Sequence, residues 1–148
     1  MPAVYKKSGV RFLYPENWQI TEEETEAWPR SVTLQSEQTS FITVHMYPPA
    51  TELRPLVKEI VDSIQEVYPE VEVLPTKETM GTTLTKGVDI CFFYLDLMVE
   101  ARVRTLKTPS LTLVWHYQAE SREFAKMEPV FQAIAISMLE TQVALPEK

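Results

Sequence analysis

From Val88 to Gln118 apolar and polar positions alternate with the period of β-strands, and three successive strands account for the whole stretch. Residues 88–95 are apolar, aromatic and β-branched, while residues 98–107 and 111–118 alternate. With Asp96-Leu97 as a two-residue hairpin loop, Ile90 opposes Val103, Phe92 opposes Ala101 and Tyr94 opposes Val99. Asp89 then faces Arg104 as a cross-strand ion pair, Cys91 faces Arg102 and Phe93 faces Glu100. With Thr108-Pro109-Ser110 as a three-residue loop, Val103 opposes Trp115, Ala101 opposes Tyr117 and Arg102 faces His116. The expected buried face is therefore Ile90, Phe92, Tyr94, Val99, Ala101, Val103, Leu113, Trp115 and Tyr117. The other face carries the polar constellation Asp89, Cys91, Glu100, Arg102, Arg104 and His116. A slip of one residue would send each side chain to the opposite face, and the apolar match argues for this register.

The same patterning predicts the remaining elements. Val10, Phe12 and Tyr14 alternate in a strand over residues 9–14, Pro15-Glu16-Asn17 is a turn, and Trp18 and Ile20 point inward from a short strand. The acidic run 22–30 reads as a solvated loop, because like charges repel and stay wet. Residues 31–36 and 40–47 form a hairpin that ends at Pro48-Pro49, since proline cannot continue a ladder. Thr51 caps a helix running to Tyr68, stopped by Pro69. Its stripe is Leu53, Leu56, Val57, Ile60, Val61, Ile64, Val67 and Tyr68. Residues 71–79 form a strand whose Pro75 demands an edge or a bulge. A short connecting strand lies between Met80-Gly81 and Lys86-Gly87. A last helix begins near Ser121, with Phe124, Met127, Phe131, Ile134 and Met138 on one side and Pro129 inside as a kink. Its opposite side, Ala133, Ile136 and Ser137, holds few charges, so it is covered on two sides or joins a second copy as a homodimer. Residues 141–148 read as a tail. Tight turns between consecutive strands give an antiparallel sheet of about six strands with helices on its faces, the α+β class.

Composition narrows the options. The chain of 148 residues, 45% of them apolar, can bury a core. A net charge of −7 without a basic stripe argues against nucleic acid as a partner. The single cysteine rules out an internal disulfide. No apolar run nears the ~20 residues of a membrane span, and Met1-Pro2-Ala3 opens no targeting pattern, so the expectation is a cytoplasmic protein.

The string Gly9-Val-Arg-Phe-Leu-Tyr-Pro-Glu-Asn-Trp18 resembles the opening of the PsbP/Mog1-like family: a strand, a Tyr/Phe-Pro turn and a tryptophan. The order of hairpin, helix, long meander and C-terminal helix is similar too, as is Ile136-Ser137-Met138 near the end. The likeness spans most of the chain as element order, and residues 9–18 and 131–139 as motif. It implies one domain over residues 1–148, an α/β/α sandwich, and a binding or assembly role. Some members serve on photosystem II and some on a small GTPase, and many bacterial relatives have no assigned function. Tyr14, Pro15 and Trp18 match as core and turn residues, so no functional residue is carried over.

Direct chemical signatures are absent from the sequence. The two histidines lie 71 positions apart with one cysteine between them. There is no HExxH, CxxC, GxSxG or phosphate-cradling glycine loop. One constellation remains: Cys91, Arg102 and His116 in a row across three strands, where arginine would favour a thiolate. Strands two apart lie about 9–10 Å from each other, so the alternative is a packed cysteine and charges that pair with each other under a helix. The expectation is a protein that is not an enzyme and needs no cofactor or metal: a binding or assembly module for an unidentified protein partner. Its candidate ligand or partner face is Asp89, Cys91, Glu100, Arg102, Arg104 and His116, and Trp28 in the charged loop is a candidate interface anchor. A small-molecule or lipid-binding protein with a pocket between sheet and helix is the alternative. A weak enzyme using Cys91 is the third reading.

Overall fold

A computed structural model describes residues 2–145. The strands are β1 (Ala3–Lys7), β2 (Val10–Tyr14), β3 (Gln19–Glu24), β4 (Arg30–Gln35), β5 (Phe41–Tyr47), β6 (Glu72–Met80), β7 (Thr83–Tyr94), β8 (Leu97–Lys107) and β9 (Thr112–Glu120), with helices α1 (Leu53–Val67) and α2 (Ser121–Leu139). Seven strands form one antiparallel sheet in the order β3-β4-β5-β9-β8-β7-β6, while β1 and β2 pair as a separate hairpin. The class is α+β with antiparallel strands and helices on both faces, as expected. The sheet has one strand more than the six anticipated. The short strand expected at residues 18–20 extends through residues 22–24 of the acidic run, which join the edge strand β3 instead of a loop, and all six residues of β3 are exposed. Its charges suit an edge, because they discourage pairing with another chain. Ile20, expected inward, is therefore exposed too.

Three layers result. Helix α1 covers one face, packing Leu53, Leu56, Val57, Ile60, Val61, Ile64 and Tyr68 on Val88, Ile90, Phe92, Ala101, Val103 and Val114. On the other face α2 and the β1–β2 hairpin close a larger core around Phe12, Trp18, Leu34, Met46, Trp115, Tyr117, Phe124 and Phe131. Full burial of one such large apolar side chain contributes roughly 1.5–3 kcal/mol. The β1–β2 hairpin turns at Ser8-Gly9, both with positive φ, and covers the second side of α2, which explains why that side carries so few charges. The Leu13 N–H donates to Ser137 Oγ at 3.0 Å across this contact. Pro129 sits inside α2, and Glu120 rather than Ser121 caps it, accepting from the Arg122 and Glu123 N–H groups. Glu52 rather than Thr51 precedes α1, and the Thr51 hydroxyl instead donates to Pro48 O at 2.6 Å. Pro75 lies on β6, an edge strand of the sheet, where proline is tolerated. After α2 the Leu145 N–H donates to Lys107 O at 2.8 Å, and residues 146–148 of the expected tail lie outside the described residues.

The central register differs from expectation at both turns. The β7–β8 hairpin turns at Leu95-Asp96, so Ile90 pairs with Ala101, Phe92 with Val99 and Asp89 with Arg102. That shift of two residues keeps the faces intact. The β8–β9 connection shifts by one, with Lys107 opposite Thr112 and Val103 opposite His116. The cause is Thr108, whose buried hydroxyl accepts from the Leu111 N–H at 2.9 Å and lengthens the loop to Thr108–Leu111. Leu111 thereby tucks into the α2-side core. Every residue of β9 is turned over relative to expectation: Leu113, Trp115 and Tyr117 join Arg102, Arg104 and Leu106 under α2, and Val114 and His116 face α1.

Candidate functional site

The register decides which of the expected site residues meet. Asp89, Glu100, Arg102 and Arg104 share the α2-side face, whereas His116 lies on the opposite one, so the six-residue constellation does not form as a unit. Arg104 is the centre of the group. It is 3% exposed, and its Nε donates to Glu78 Oε1 at 2.9 Å. Its Nη1 donates to the carbonyls of Val88 and Val103, and Nη2 lies 2.8 Å from Asp89 Oδ1. Asp89 Oδ1 is also 3.4 Å from Arg102 Nε; the angles favour no hydrogen bond to this oxygen, so it is held by charge. Burial opposes the Arg104 cation, but Glu78 and Asp89 overcome this and push its pKa up. Glu78 accepts a further bond from Gln132 Nε2 on α2 at 3.2 Å. Arg102 stacks over the Phe124 ring at 4.6 Å, and Ser121 Oγ donates to Glu100 Oε2 at 2.9 Å. These side chains latch α2 to the sheet around a polar cavity of about 260 Å³ that Tyr117 and Glu128 also line.

Cys91 stands at the margin of this face, across from Glu72 and Glu100, and is half-buried. Burial, with Glu100 and Glu72, pushes its thiol pKa up, and Arg102 only partly opposes them. With His116 on the far side of the sheet, Cys91 and His116 do not form a pair. Among the described residues no group of three His, Cys, Asp or Glu could hold a metal ion.

The structure does bring the two histidines close. His45 and His116 lie on neighbouring strands beneath α1, with Thr43 opposite His116. His116 is half-buried, meets the Phe41 ring edge-on at 5.5 Å and bonds Gln118 Oε1 at 3.1 Å. Burial drives its pKa down to about 4; the Gln118 bond works against this, and the charge of His45 adds to it. Burial also lowers His45, against the pull of Glu59 on α1. A lowered histidine favours the neutral folded form, so its stability contribution is complete above the unfolded value of 6.5. It is lost as pH falls from 6.5 towards 4, because only the unfolded chain takes up the proton there. At pH 5 the loss is at most about 2 kcal/mol, since part of the ring still meets solvent. Urea unfolding from pH 7 to pH 5 should show this slope, and His116→Gln should flatten it; an unchanged slope in the variant would refute the assignment.

Sequence reasoning passed over a different feature. β6 pairs with β7 only as far as Cys91, and β9 pairs with β8 only from Val99. The β7–β8 hairpin therefore overhangs the sheet, and residues 93–98 are all exposed. Five of these six side chains are apolar or aromatic: Phe93 at 59%, Tyr94, Leu95 at 81%, Leu97 and Met98. Leu95 has φ 57°, a left-handed conformation that a branched side chain resists. The signal was present in the chain as a turn containing no Gly, Asn or Pro. Trp28 is exposed at 43%, with the Arg30 guanidinium 4.1 Å from its ring centre, while Trp18 and Trp115 are buried. A separate apolar groove of about 610 Å³ lies between α2 and the β2 end, lined by Tyr14, Pro15, Pro129, Val130 and Ala133 among others.

No protein-family profile and no curated protein matches the chain. Solved structures do. The solution structure of cyanobacterial PsbP (CyanoP) from Synechocystis sp. PCC 6803 superposes with a TM-score of 0.62 at 11% identity, over 92% of this chain and 90% of that one. The crystal structure of LpqN, involved in cell envelope biogenesis of Mycobacterium tuberculosis, gives 0.51 at 11% identity, over 90% and 86%. The chain thus has a PsbP-like fold.

Proposed function

We propose that this chain is a non-catalytic protein-binding module whose contact surface is the overhanging β7–β8 hairpin. The observation that carries this reading is the run of exposed apolar side chains from Phe93 to Met98. A contiguous apolar patch rimmed by polar residues on a water-soluble surface marks a place where something binds. The strained Leu95 at its tip points the same way: a branched residue held at positive φ is retained against its conformational cost. The Asp89–Arg104 group is engaged in holding α2, which leaves it a supporting role, and Trp28 is a second contact.

A photo-crosslinking amino acid placed at Leu95 should give a discrete adduct in cells, and one at Lys58 on the outer side of α1 should not. Purified protein should compete this adduct away, whereas Leu95→Gly should fail to. That variant removes the apolar tip and relieves the left-handed strain, so its stability should hold or rise by up to about 1 kcal/mol. No adduct at Leu95, or full competition by Leu95→Gly, would overturn the reading.

The apolar groove beside α2 favours a second reading, an apolar small molecule or acyl chain bound there, since its volume falls within the range of ligand sites. A spin-labelled fatty acid that broadens the amide resonances of Tyr14 and Ala133 would support it, and unchanged spectra would dispose of it.

A further inference from the structure

We infer that the occupant of the hairpin surface is a protein segment in which Lys or Arg residues flank apolar side chains. This rests on the reading of the tip as a protein contact and adds the partner's chemistry. Beside the tip, on the α2 side of the ribbon, lies a recess of about 480 Å³. Phe93, Met98, Val71 and Cys91 line it together with two carboxylates, Glu70 and Glu72, and no cation lines it. On the opposite side of the ribbon a smaller recess is bounded by Tyr94, Leu97 and Glu120, the last paired with Arg122 at 2.8 Å, so the acidic rim is that of the first recess and the turn. The turn itself carries Asp96. Helix α1 ends at this same end of the sheet with no basic residue in its last turn, where the helix dipole would favour one. The whole chain carries a net charge of −7. An apolar centre inside an acidic rim is complementary to an apolar strip inside a basic rim. A second copy would set Glu70, Glu72 and Asp96 against their own kind, and an anionic bilayer would meet the same repulsion.

The test uses the full chain labelled with ¹⁵N and two synthetic peptides of equal length, one patterned with leucine and lysine, the other with leucine and glutamate. The Leu/Lys peptide should shift the amides of Phe93–Met98 and Glu70–Glu72, and its affinity should fall several-fold as salt is raised. The paired variant Glu70→Gln, Glu72→Gln should weaken it with the far-ultraviolet circular dichroism unchanged, and Leu95→Gly should weaken it further. Equal binding of the Leu/Glu peptide at the tip would overturn the partner's chemistry and leave the tip as a contact. Shifts spread over the acidic surface but absent from 93–98 would overturn it as well. So would tip shifts produced by phosphatidylcholine or phosphatidylglycerol vesicles, or by raising the protein concentration alone. The crosslink at Leu95 falls or stands separately, so failure of the underlying reading is distinguishable from failure of this one.

Discussion

Gly87→Ala should remove about 3 kcal/mol or more of folding stability, the largest effect expected of any single methyl group in this chain. A Cβ at this position would lie 1.7 Å from the Val103 carbonyl oxygen and 2.7 Å from its carbon. These are backbone atoms of β8, in the middle of the sheet, and they cannot step aside. Strand β7 is hydrogen-bonded on both edges there, with Gly87 opposite Thr76 on β6 and Arg104 on β8. The Val103 carbonyl is also held by Arg104 Nη1 at 3.1 Å. Gly9→Ala provides the comparison. Its added methyl would meet only the end of the Leu111 side chain, at 2.9 Å, so the cost there is dominated by φ 86°. That strain is worth roughly 1–2 kcal/mol. Urea denaturation should therefore rank Gly87→Ala well below Gly9→Ala in stability. Equal midpoints would mean that the strand can open locally at Gly87 and that the tight approach is dispensable.

Arg104→Met should cost about 3 kcal/mol, at the low end of the range for removing one partner of a buried ion pair. Asp89 and Glu78 keep about a third of their side-chain exposure, 34% and 33%, so water tempers the loss. Much of the penalty comes from Glu78, left facing Gln132 without the Arg104 cation, whereas Asp89 keeps Arg102 at 3.4 Å. Adding Glu78→Gln to Arg104→Met should therefore recover about 1 kcal/mol or more in a double-mutant cycle. Hydrogen exchange should show α2 opening first, because Glu78 ties Arg104 to Gln132 on that helix. If Arg104→Met matched the wild type, the guanidinium would be a passenger in the core and the latch would have to be assigned to Arg102 and Phe124.

Most of the fold could be read from the chain because its elements are strongly patterned. The stripe from Leu53 to Tyr68 appears as α1 on the sheet, though Val67 at its end is 66% exposed. Pro75 marked an edge strand correctly. The acidic residues 22–24 hid the second half of β3, whose start was expected as a short strand, since charge argues for solvent and an edge strand satisfies that demand without becoming a loop. Strand β1 was missed because five residues with two adjacent lysines carry little alternation. The candidate site was legible only in part. Asp89 and Arg104 meet at 2.8 Å as a diagonal pair instead of a directly opposed one. Glu78 and Gln132, which complete the group, come from 26 and 28 residues to either side of Arg104 and have no signature in sequence.

Local alternation set the identity of most strands, the two apolar helix stripes and the antiparallel class, because these depend on side chains a few positions apart. The relation between strands was decided elsewhere. Apolar matching favoured Trp115 opposite Val103, yet Trp115 stands opposite Arg104, because the core under α2 accepts a tryptophan and a fully paired guanidinium side by side. One buried hydroxyl, that of Thr108, sets the loop length that makes this so. The period of a strand is two, so one extra loop residue exchanges its faces completely. The same tertiary pairing, by starting β6 at Glu72 opposite Cys91 and ending β9 at Glu120 opposite Val99, leaves Phe93–Met98 standing beyond the sheet. The apolar residues of that tip were visible in the chain from the start, and only the lengths of their neighbours turned them into a surface.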